Sequence, residues 1–200
     1  TVLANQCASH GLAGFEWAVS VPGTVGGAVV NNAGAHGGDM SDAVKKAHIL
    51  DCVQRDMIFM SAQKLAFEYR STALKGAEAG RYVVLGVTLQ FERDDPDTIK
   101  ARMAEYRAHR KRTQPPGASL GSIFKNPPGD YAGRLIEAAG LQGHTSGGAQ
   151  VSERHANFFI NMGGATATDY AALVWHVQGE VEQAHGIRLE TEIEMVGRGF

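Results

Sequence analysis

Residues 14–39 read GFEWAVSVPGTVGGAVVNNAGAHGGD, a nearly uncharged stretch that is rich in glycine. Pro22 and the glycines rule out a long helix here, because both residue types interrupt helical backbone. The pattern predicts a tightly turning chain that approaches something closely. Accessible N–H groups would suit a phosphate or the edge of a flat ring, and a purely structural group of turns is the alternative. Neither G-x-x-x-x-G-K-[ST] nor a clean G-x-G-x-x-G is present.

Strand-like and helix-like patterns follow this stretch. Strands are predicted at 44–53, 81–91, 157–161 and 188–196, and helices at 97–112, 132–139 and 168–184. Asp97 and Thr168 are the predicted N-caps of two of these helices. Pro115-Pro116-Gly117 predicts a helix end and a domain boundary. We therefore predict an α+β fold in two lobes, and the final strand could return to the first lobe.

Composition narrows the class of protein. The chain has 200 residues, and Lys+Arg 19 against Asp+Glu 21 leaves a net charge of -2, which disfavours a nucleic-acid binder. No apolar run approaches about 18 residues, so no membrane span is predicted. Two cysteines, Cys7 and Cys52, are too few for a disulfide framework and favour the cytoplasm. Because the sequence starts at Thr1 with no Met, we expect it to be part of a longer polypeptide.

Arg70 lies in FEYRST, residues 67–72. Its guanidinium is permanently charged and presents a planar fork that suits a carboxylate. The alternative is an arginine that extends from a strand end towards water.

The second motif is GSIFKNP, residues 121–127, which brings Ser122, Lys125 and Asn126 together on a constrained loop. These side chains could bind a polar substrate through hydrogen bonds. No histidine is close in sequence and G-x-S-x-G is absent, so proton donation by Ser122 is at least as plausible as nucleophilic attack.

Acidic residues alternate in LETEIEMVG, residues 189–197, which includes Glu192. Taken alone, this alternation is typical of the charged face of an edge strand. His144 and His155 lack the spacing of metal ligands, so no metal site is predicted.

The order of these motifs resembles the family of UDP-N-acetylenolpyruvoylglucosamine reductases, flavoenzymes of peptidoglycan precursor synthesis. AGRLIEAAGLQG (132–143) and SERHANFFIN (152–161) extend the resemblance to essentially all of residues 11–200. The resemblance implies FAD bound in a vanillyl-alcohol-oxidase-like fold and NADPH as the reductant. It also implies hydride transfer to the vinyl group of UDP-N-acetylglucosamine enolpyruvate, which gives UDP-N-acetylmuramate. No obligate protein partner is implied.

The resemblance also assigns roles to residues. Arg70 would stabilise charge on the substrate carboxylate, Ser122 would donate a proton, and Glu192 would act as a neutral acid or through a hydrogen bond. Lys125 and Asn126 would meet the pyrophosphate or the sugar. The residues expected at the flavin are Pro22, Gly23, Thr24, Gly26, Gly27, Asn32, Ala33, Gly34 and Gly37.

On this basis we divide the chain into four parts. They are the second part of an FAD-binding domain (1–95), a helix and linker (96–116), a substrate-binding domain (117–187) and a C-terminal strand with Glu192 (188–200). The family's earlier G-G-G-S-N loop is not in this sequence, so we expect weak FAD binding or none by this chain alone. Another flavin oxidase of the same fold and a non-catalytic UDP-sugar-binding module are the competing hypotheses.

Overall fold

The computed structural model describes residues 1–76 and 80–197. The chain forms two compact units, Thr1–Arg110 and Lys111–Phe200. Both units combine helices with antiparallel strands, so the predicted α+β class is confirmed.

The first unit contains short elements around one larger sheet. In chain order they are α1 (Val2–Ser9), β1 (Leu12–Ala13), a 3-10 helix (Glu16–Ser20), α2 (Val25–Val30), β2 (Gly34–Ala35), β3 (Gly38–Asp39), α3 (Met40–Ala43), β4 (Val44–Asp51), β5 (Asp56–Ser61), α4 (Ala62–Leu65), β6 (Tyr82–Leu89) and β7 (Glu92–Arg93). Helix α5 (Pro96–Thr113) follows and includes the boundary between the units.

The sheet of the first unit has the order β5-β4-β6, and both pairings are antiparallel. Val44, Ala47 and Ile49 of β4 point into the core, where they join Met40 and Leu65. Irregularities in the β4–β6 register shift the simple two-residue alternation between Val44 and Ala47. The predicted strands at 44–53 and 81–91 are thereby confirmed as β4 and β6, each a little shorter than predicted.

The glycine-rich stretch turns repeatedly, as predicted, and its longest helix is the six-residue α2. The hydroxyl of Thr24 caps α2 by accepting from the Gly27 N–H at 3.1 Å. The β2–β3 hairpin leaves no room for side chains at two positions. A Cβ at Gly34 would lie 2.6 Å from the Cβ of Asp39, and one at Gly38 would lie 2.5 Å from Cδ1 of Trp17. These two glycines are therefore required for packing within the protein itself.

Both predicted helix caps are wrong by two residues. Asp95, not Asp97, caps α5, because its carboxylate accepts from the Thr98 N–H at 2.8 Å. Pro96 then occupies the first helical position, where its missing N–H costs nothing. Thr166, not Thr168, caps the last helix, because Thr166 and Asp169 bond reciprocally as a capping box.

The second unit is built on a four-stranded antiparallel sheet of order β8-β11-β10-β9. Its elements are β8 (Ser119–Ser122), α6 (Ala132–Ala138), β9 (Thr145–Ser146), β10 (Ala149–Val151), β11 (Phe158–Asn161) and α7 (Ala167–His185). The core of this unit includes Phe124, Ile136, Phe159 and Val177, all buried.

The strand predicted at 188–196 is wrong for the described residues. This segment makes one isolated bridge, between Thr191 and Phe124, and it forms no strand among the described residues. Leu189 is buried while Glu194 to Val196 are exposed, so the segment lacks a continuous buried face. Its backbone bonds to residues 123–125 place it in the second unit, and it does not return to the first. Residues 198–200, the end of the predicted element, lie outside the described residues.

Across residues 1–76 and 80–197, every helix falls short of the length or the apolar character that a membrane crossing demands.

The ion pair between Arg81 and Asp51 is expected to affect the stability of the protein in acid. Arg81 donates to Asp51 at 2.7 Å, and this contact lowers the pKa of the carboxyl to about 2, with help from the Val53 and Gln54 N–H groups. A lowered pKa means that the stabilisation is complete above the ordinary value of 3.8 and is lost as pH falls towards 2. Asp51→Asn is therefore expected to flatten the fall of unfolding free energy across that window. Urea unfolding from pH 7 to 2 measures it, with exposed Asp56→Asn as the control. Equal acid sensitivity of wild type and Asp51→Asn would contradict the prediction.

Candidate functional site

Arg70 is presented by a tight turn in the first unit. Glu68 and Ser71 close the turn through two reciprocal backbone bonds of 3.0 and 3.1 Å. The backbone of Arg70 is left-handed, with φ of 55°, which is uncommon for a residue with a side chain. Such a conformation persists only where the surroundings hold it, and it is a frequent mark of functional sites.

The guanidinium of Arg70 lies against the glycine-rich stretch. Its Nη2 donates to the Gly34 carbonyl at 2.7 Å and its Nη1 donates to the Asn32 carbonyl at 3.4 Å. The Tyr69 ring lies 5.2 Å from the guanidinium carbon. These two bonds orient the guanidinium relative to the glycine-rich stretch. The structure thus brings Arg70 together with Asn32 and Gly34, which the sequence analysis assigned to a different role.

The other glycine-rich candidates divide into two groups. Thr24, Gly26 and Ala33 serve the fold: Thr24 caps α2, Gly26 packs against Val84 and Ala33 bonds through its backbone to Ala28 and Met40.

At Gly23 and Gly37, by contrast, a Cβ would meet no described atom within 4 Å, and both have positive φ. Pro22 directly precedes Gly23, and the Gly27 N–H is used by the Thr24 hydroxyl. Among the candidate residues, Gly23 and Gly37 are therefore open, side-chain-free positions with respect to the described residues.

Ser122 ends strand β8 in the second unit, opposite Phe158 of β11. The residues after it are fixed by Asn157, a buried residue that the sequence analysis missed as a functional support. The Asn157 side chain accepts from Phe124 N–H at 2.9 Å and donates to Phe124 C=O at 2.8 Å. The carbonyl of Asn157 also accepts from Ile123 N–H at 2.9 Å. This clamp fixes the backbone directly after Ser122.

Glu192 reaches the same place through the C-terminal segment. Its N–H donates to the Ile123 carbonyl at 2.8 Å, so the backbone of Glu192 lies beside the residue that follows Ser122. The structure therefore places Ser122 and Glu192 in the same unit, with the Glu192 backbone bonded to the residue that follows Ser122. Arg70 belongs to the other unit.

Lys125 and Asn126 each have a partner inside the second unit. The Lys125 ammonium pairs with Glu190 at 2.5 Å, and Lys125 N–H also donates to the Glu190 carbonyl at 2.8 Å. The Asn126 side chain accepts from Ala132 N–H at 3.0 Å and so serves the start of α6. Glu190 was overlooked as a partner because it lies 65 positions from Lys125.

The two histidines weighed at the sequence level have ordinary environments. His144 stacks on His176 with ring centres 4.2 Å apart. His155 accepts from Asn157 N–H through Nδ1 at 3.3 Å, and burial lowers its pKa. Within the part of the chain that the structure describes, no group of three His, Cys, Asp or Glu side chains could hold a metal ion.

Gly121 makes the backbone before Ser122 possible. Its φ is 82° and a Cβ there would meet no atom within 4 Å, so only backbone strain opposes a side chain. Gly121→Ala is expected to lower the unfolding free energy by about 1 kcal/mol. Gly179→Ala, in the exposed part of α7 and also without neighbours, is expected to raise it by about 0.5 to 1 kcal/mol. Denaturant unfolding of both variants checks the opposite signs, and a neutral Gly121→Ala would show that the left-handed turn is dispensable.

The chain is similar to known proteins along most of its length. A family model described as UDP-N-acetylenolpyruvoylglucosamine reductase, C-terminal domain, matches residues 112–196. The UDP-N-acetylenolpyruvoylglucosamine reductase of Anoxybacillus flavithermus is 45% identical over 197 residues, which are 98% of this chain and 64% of that relative. A second such reductase, from Symbiobacterium thermophilum, is 46% identical over 98% of this chain and 62% of its own length.

A solved structure extends the likeness to the fold. The crystal structure of UDP-N-acetylenolpyruvylglucosamine reductase from Thermus caldophilus superposes with a TM-score of 0.85 at 37% identity, over 96% of this chain and 68% of that one. Fold and sequence together point to one family of proteins. The chain belongs to the UDP-N-acetylenolpyruvoylglucosamine reductase family. It spans a little under two thirds of the length of the curated relatives that it matches.

Proposed function

We propose that this chain is the part of an FAD-dependent, NADPH-driven reductase that holds the substrate and its reacting groups. The substrate would be UDP-N-acetylglucosamine enolpyruvate and the product UDP-N-acetylmuramate, a precursor of peptidoglycan made in the cytoplasm. The observation that best supports this function is the guanidinium of Arg70, held by the Gly34 and Asn32 carbonyls at the glycine-rich stretch.

The glycine-rich stretch fits a flat, phosphate-bearing cofactor. Gly23 and Gly37 are open positions without side chains, and the first turn of α2 leaves N–H groups that the helix itself does not bond. These residues would hold FAD, with Thr24 and Gly34 fixing the shape of the cradle. When bound, the flavin would supply the hydride for the vinyl carbon, after taking it from NADPH.

Arg70 would act on the substrate carboxylate. Hydride addition to the terminal vinyl carbon sends an electron pair towards the adjacent carbon and its carboxylate. A guanidinium aimed at that carboxylate stabilises this charge as it develops. The bonds to the Gly34 and Asn32 carbonyls would orient the guanidinium for this task.

Ser122 would complete the addition by giving its hydroxyl proton to the new carbanion, and water would then restore the proton to the serine. A carbanion is basic enough for a positioned hydroxyl to act as the acid. The N–H of Glu192 bonds to the carbonyl of Ile123, the residue after Ser122. Glu192 would support the proton transfer through a hydrogen bond.

Lys125 and Asn126 would bind the nucleotide-sugar. The Lys125 ammonium has three donors and uses one on Glu190, so N–H groups remain that a diphosphate can accept from. The Asn126 oxygen accepts from Ala132 N–H, which fixes the side chain at the start of α6, beside Lys125 in sequence.

The experiment that tests the function uses the whole protein that contains this chain. Incubation with FAD should give a flavin spectrum, and NADPH oxidation should depend on the enolpyruvyl substrate. Gly37→Ala should weaken FAD binding more than Gly76→Ala, a matched change at equal φ and equally open space outside the glycine-rich stretch. Substrate binding without flavin binding would instead favour a UDP-sugar-binding module, and oxygen consumption without NADPH would favour an oxidase.

A further inference from the structure

Asn32 occupies a position whose side chain is committed to the protein interior. It is 3% exposed, and its backbone is left-handed with φ of 40°. Its Nδ2 donates to the Glu68 carbonyl at 2.9 Å and to the Asp39 carboxylate at 3.2 Å. Its Oδ1 accepts from Ser41 N–H at 3.2 Å. Three of the four bonds that the amide can make are therefore made within the protein.

The same residue holds Arg70 from two directions. The Asn32 side chain fixes the Glu68 carbonyl, at the start of the Arg70 turn. The Asn32 backbone carbonyl accepts from Nη1 at the far end of the arginine side chain. Asn32 thus restrains both the backbone that carries the arginine and the guanidinium itself.

We propose that Asn32 is a positioning residue for Arg70 and makes no contact with the flavin through its side chain. The inference rests on the proposed function, since it concerns how Arg70 meets the substrate carboxylate. It replaces the role that the sequence assigned to Asn32, because a buried side chain with these partners has little to offer a ligand.

The chemistry of asparagine suits this position better than that of other residues. Its amide supplies two donors, which the Glu68 carbonyl and Asp39 both require. It also tolerates left-handed backbone better than most side chains. Aspartate has nearly the same shape and backbone tolerance, but it would set acceptors and a negative charge against those two oxygens.

The test compares Asn32→Asp with Thr72→Val. Thr72 provides a matched control because its hydroxyl donates to the Val30 carbonyl at 2.7 Å and ties the same two segments together without touching the guanidinium. Asn32→Gly is a second variant that keeps the left-handed backbone and removes only the side chain, in case the charge of Asn32→Asp prevents folding.

The first readout needs no ligand. The nitrogen NMR signals of the Arg70 guanidinium, assigned with Arg70→Lys, report whether its rotation is restricted. We expect restricted signals in the wild type and in Thr72→Val, and averaged signals in both Asn32 variants. Unchanged signals in the Asn32 variants would overturn the inference, and so would equal averaging in Thr72→Val, which would indicate a merely structural role.

The second readout is the ratio of affinities for UDP-N-acetylglucosamine enolpyruvate and for UDP-N-acetylglucosamine, which lacks the carboxylate. In the flavin-loaded whole protein, the Asn32 variants should lower this ratio about tenfold, the value of one well-placed charge-assisted hydrogen bond, and Thr72→Val should leave it unchanged. An unchanged ratio in the Asn32 variants would overturn the inference. A wild-type ratio near one would contradict the proposed role of Arg70, and the nitrogen signals would still decide whether Asn32 positions the guanidinium.

Discussion

Arg70→Ala is expected to lower the rate of substrate reduction by about 10²- to 10³-fold in the flavin-loaded whole protein. The physical reason is that the variant lacks the positive charge proposed to stabilise the carboxylate as electron density moves onto it. Reduction of the flavin by NADPH does not involve this carboxylate and should keep its rate. Stopped-flow measurement of the two half-reactions separates the effects.

Two variants make the result interpretable. Arg70→Lys keeps the positive charge but not the planar fork, so it cannot hold the Gly34 and Asn32 carbonyls and a carboxylate together, and it should fall between wild type and alanine. Arg81→Ala removes another arginine of the same unit, one that pairs with Asp51, and should affect stability while leaving both half-reactions unchanged. If Arg70→Ala reduced the substrate at the wild-type rate, Arg70 would have no role in the reaction.

Local patterns predicted the fold well where neighbours in sequence decide the structure. The glycine-rich stretch turns as predicted, because proline and glycine act on their own backbone wherever they occur. The helix caps were missed by two residues because Asp95 and Asp97, or Thr166 and Thr168, are equivalent by composition alone. The capping residue of each pair is identified only by the hydrogen bond that its side chain accepts from a backbone N–H of the first helical turn.

Features that depend on distant residues could not be predicted from the sequence. Nothing near Asn157 indicates that it clamps Phe124, 33 positions away. The resemblance assigns Asn32 to the cofactor, and nothing near it in sequence indicates its bond to Glu68, 36 positions away. The C-terminal segment alternates in polarity like a strand, but up to residue 197 it forms one isolated bridge, to Phe124, and no ladder. In each case tertiary contacts override the local pattern, and no periodicity encodes the partner.

Ser122→Ala is expected to lower kcat for substrate reduction by about 10²- to 10⁴-fold, the range for loss of a positioned proton donor. Alanine removes the hydroxyl and leaves β8 and its pairing to Phe158 in place, so stability should change little. Flavin reduction by NADPH should be unaffected, because the proton is needed only when the vinyl group is reduced. The substrate KM should also stay unchanged, since the contacts proposed for Lys125 and Asn126 remain.

The matched control is Ser119→Ala, which changes an exposed serine on the same strand and should leave both half-reactions at the wild-type rate. In deuterated water the wild-type enzyme should place one deuterium on the carbon next to the carboxylate, because the serine hydroxyl exchanges with solvent before it donates. Slowed transfer in Ser122→Ala, together with loss of a defined stereochemistry at that carbon, would show that the serine delivers the proton to one face. If Ser122→Ala instead gave the same product at the same rate, water or Glu192 would have to be the acid. The hydrogen bonds of Asn157 to the Phe124 backbone would then support substrate binding and not proton delivery.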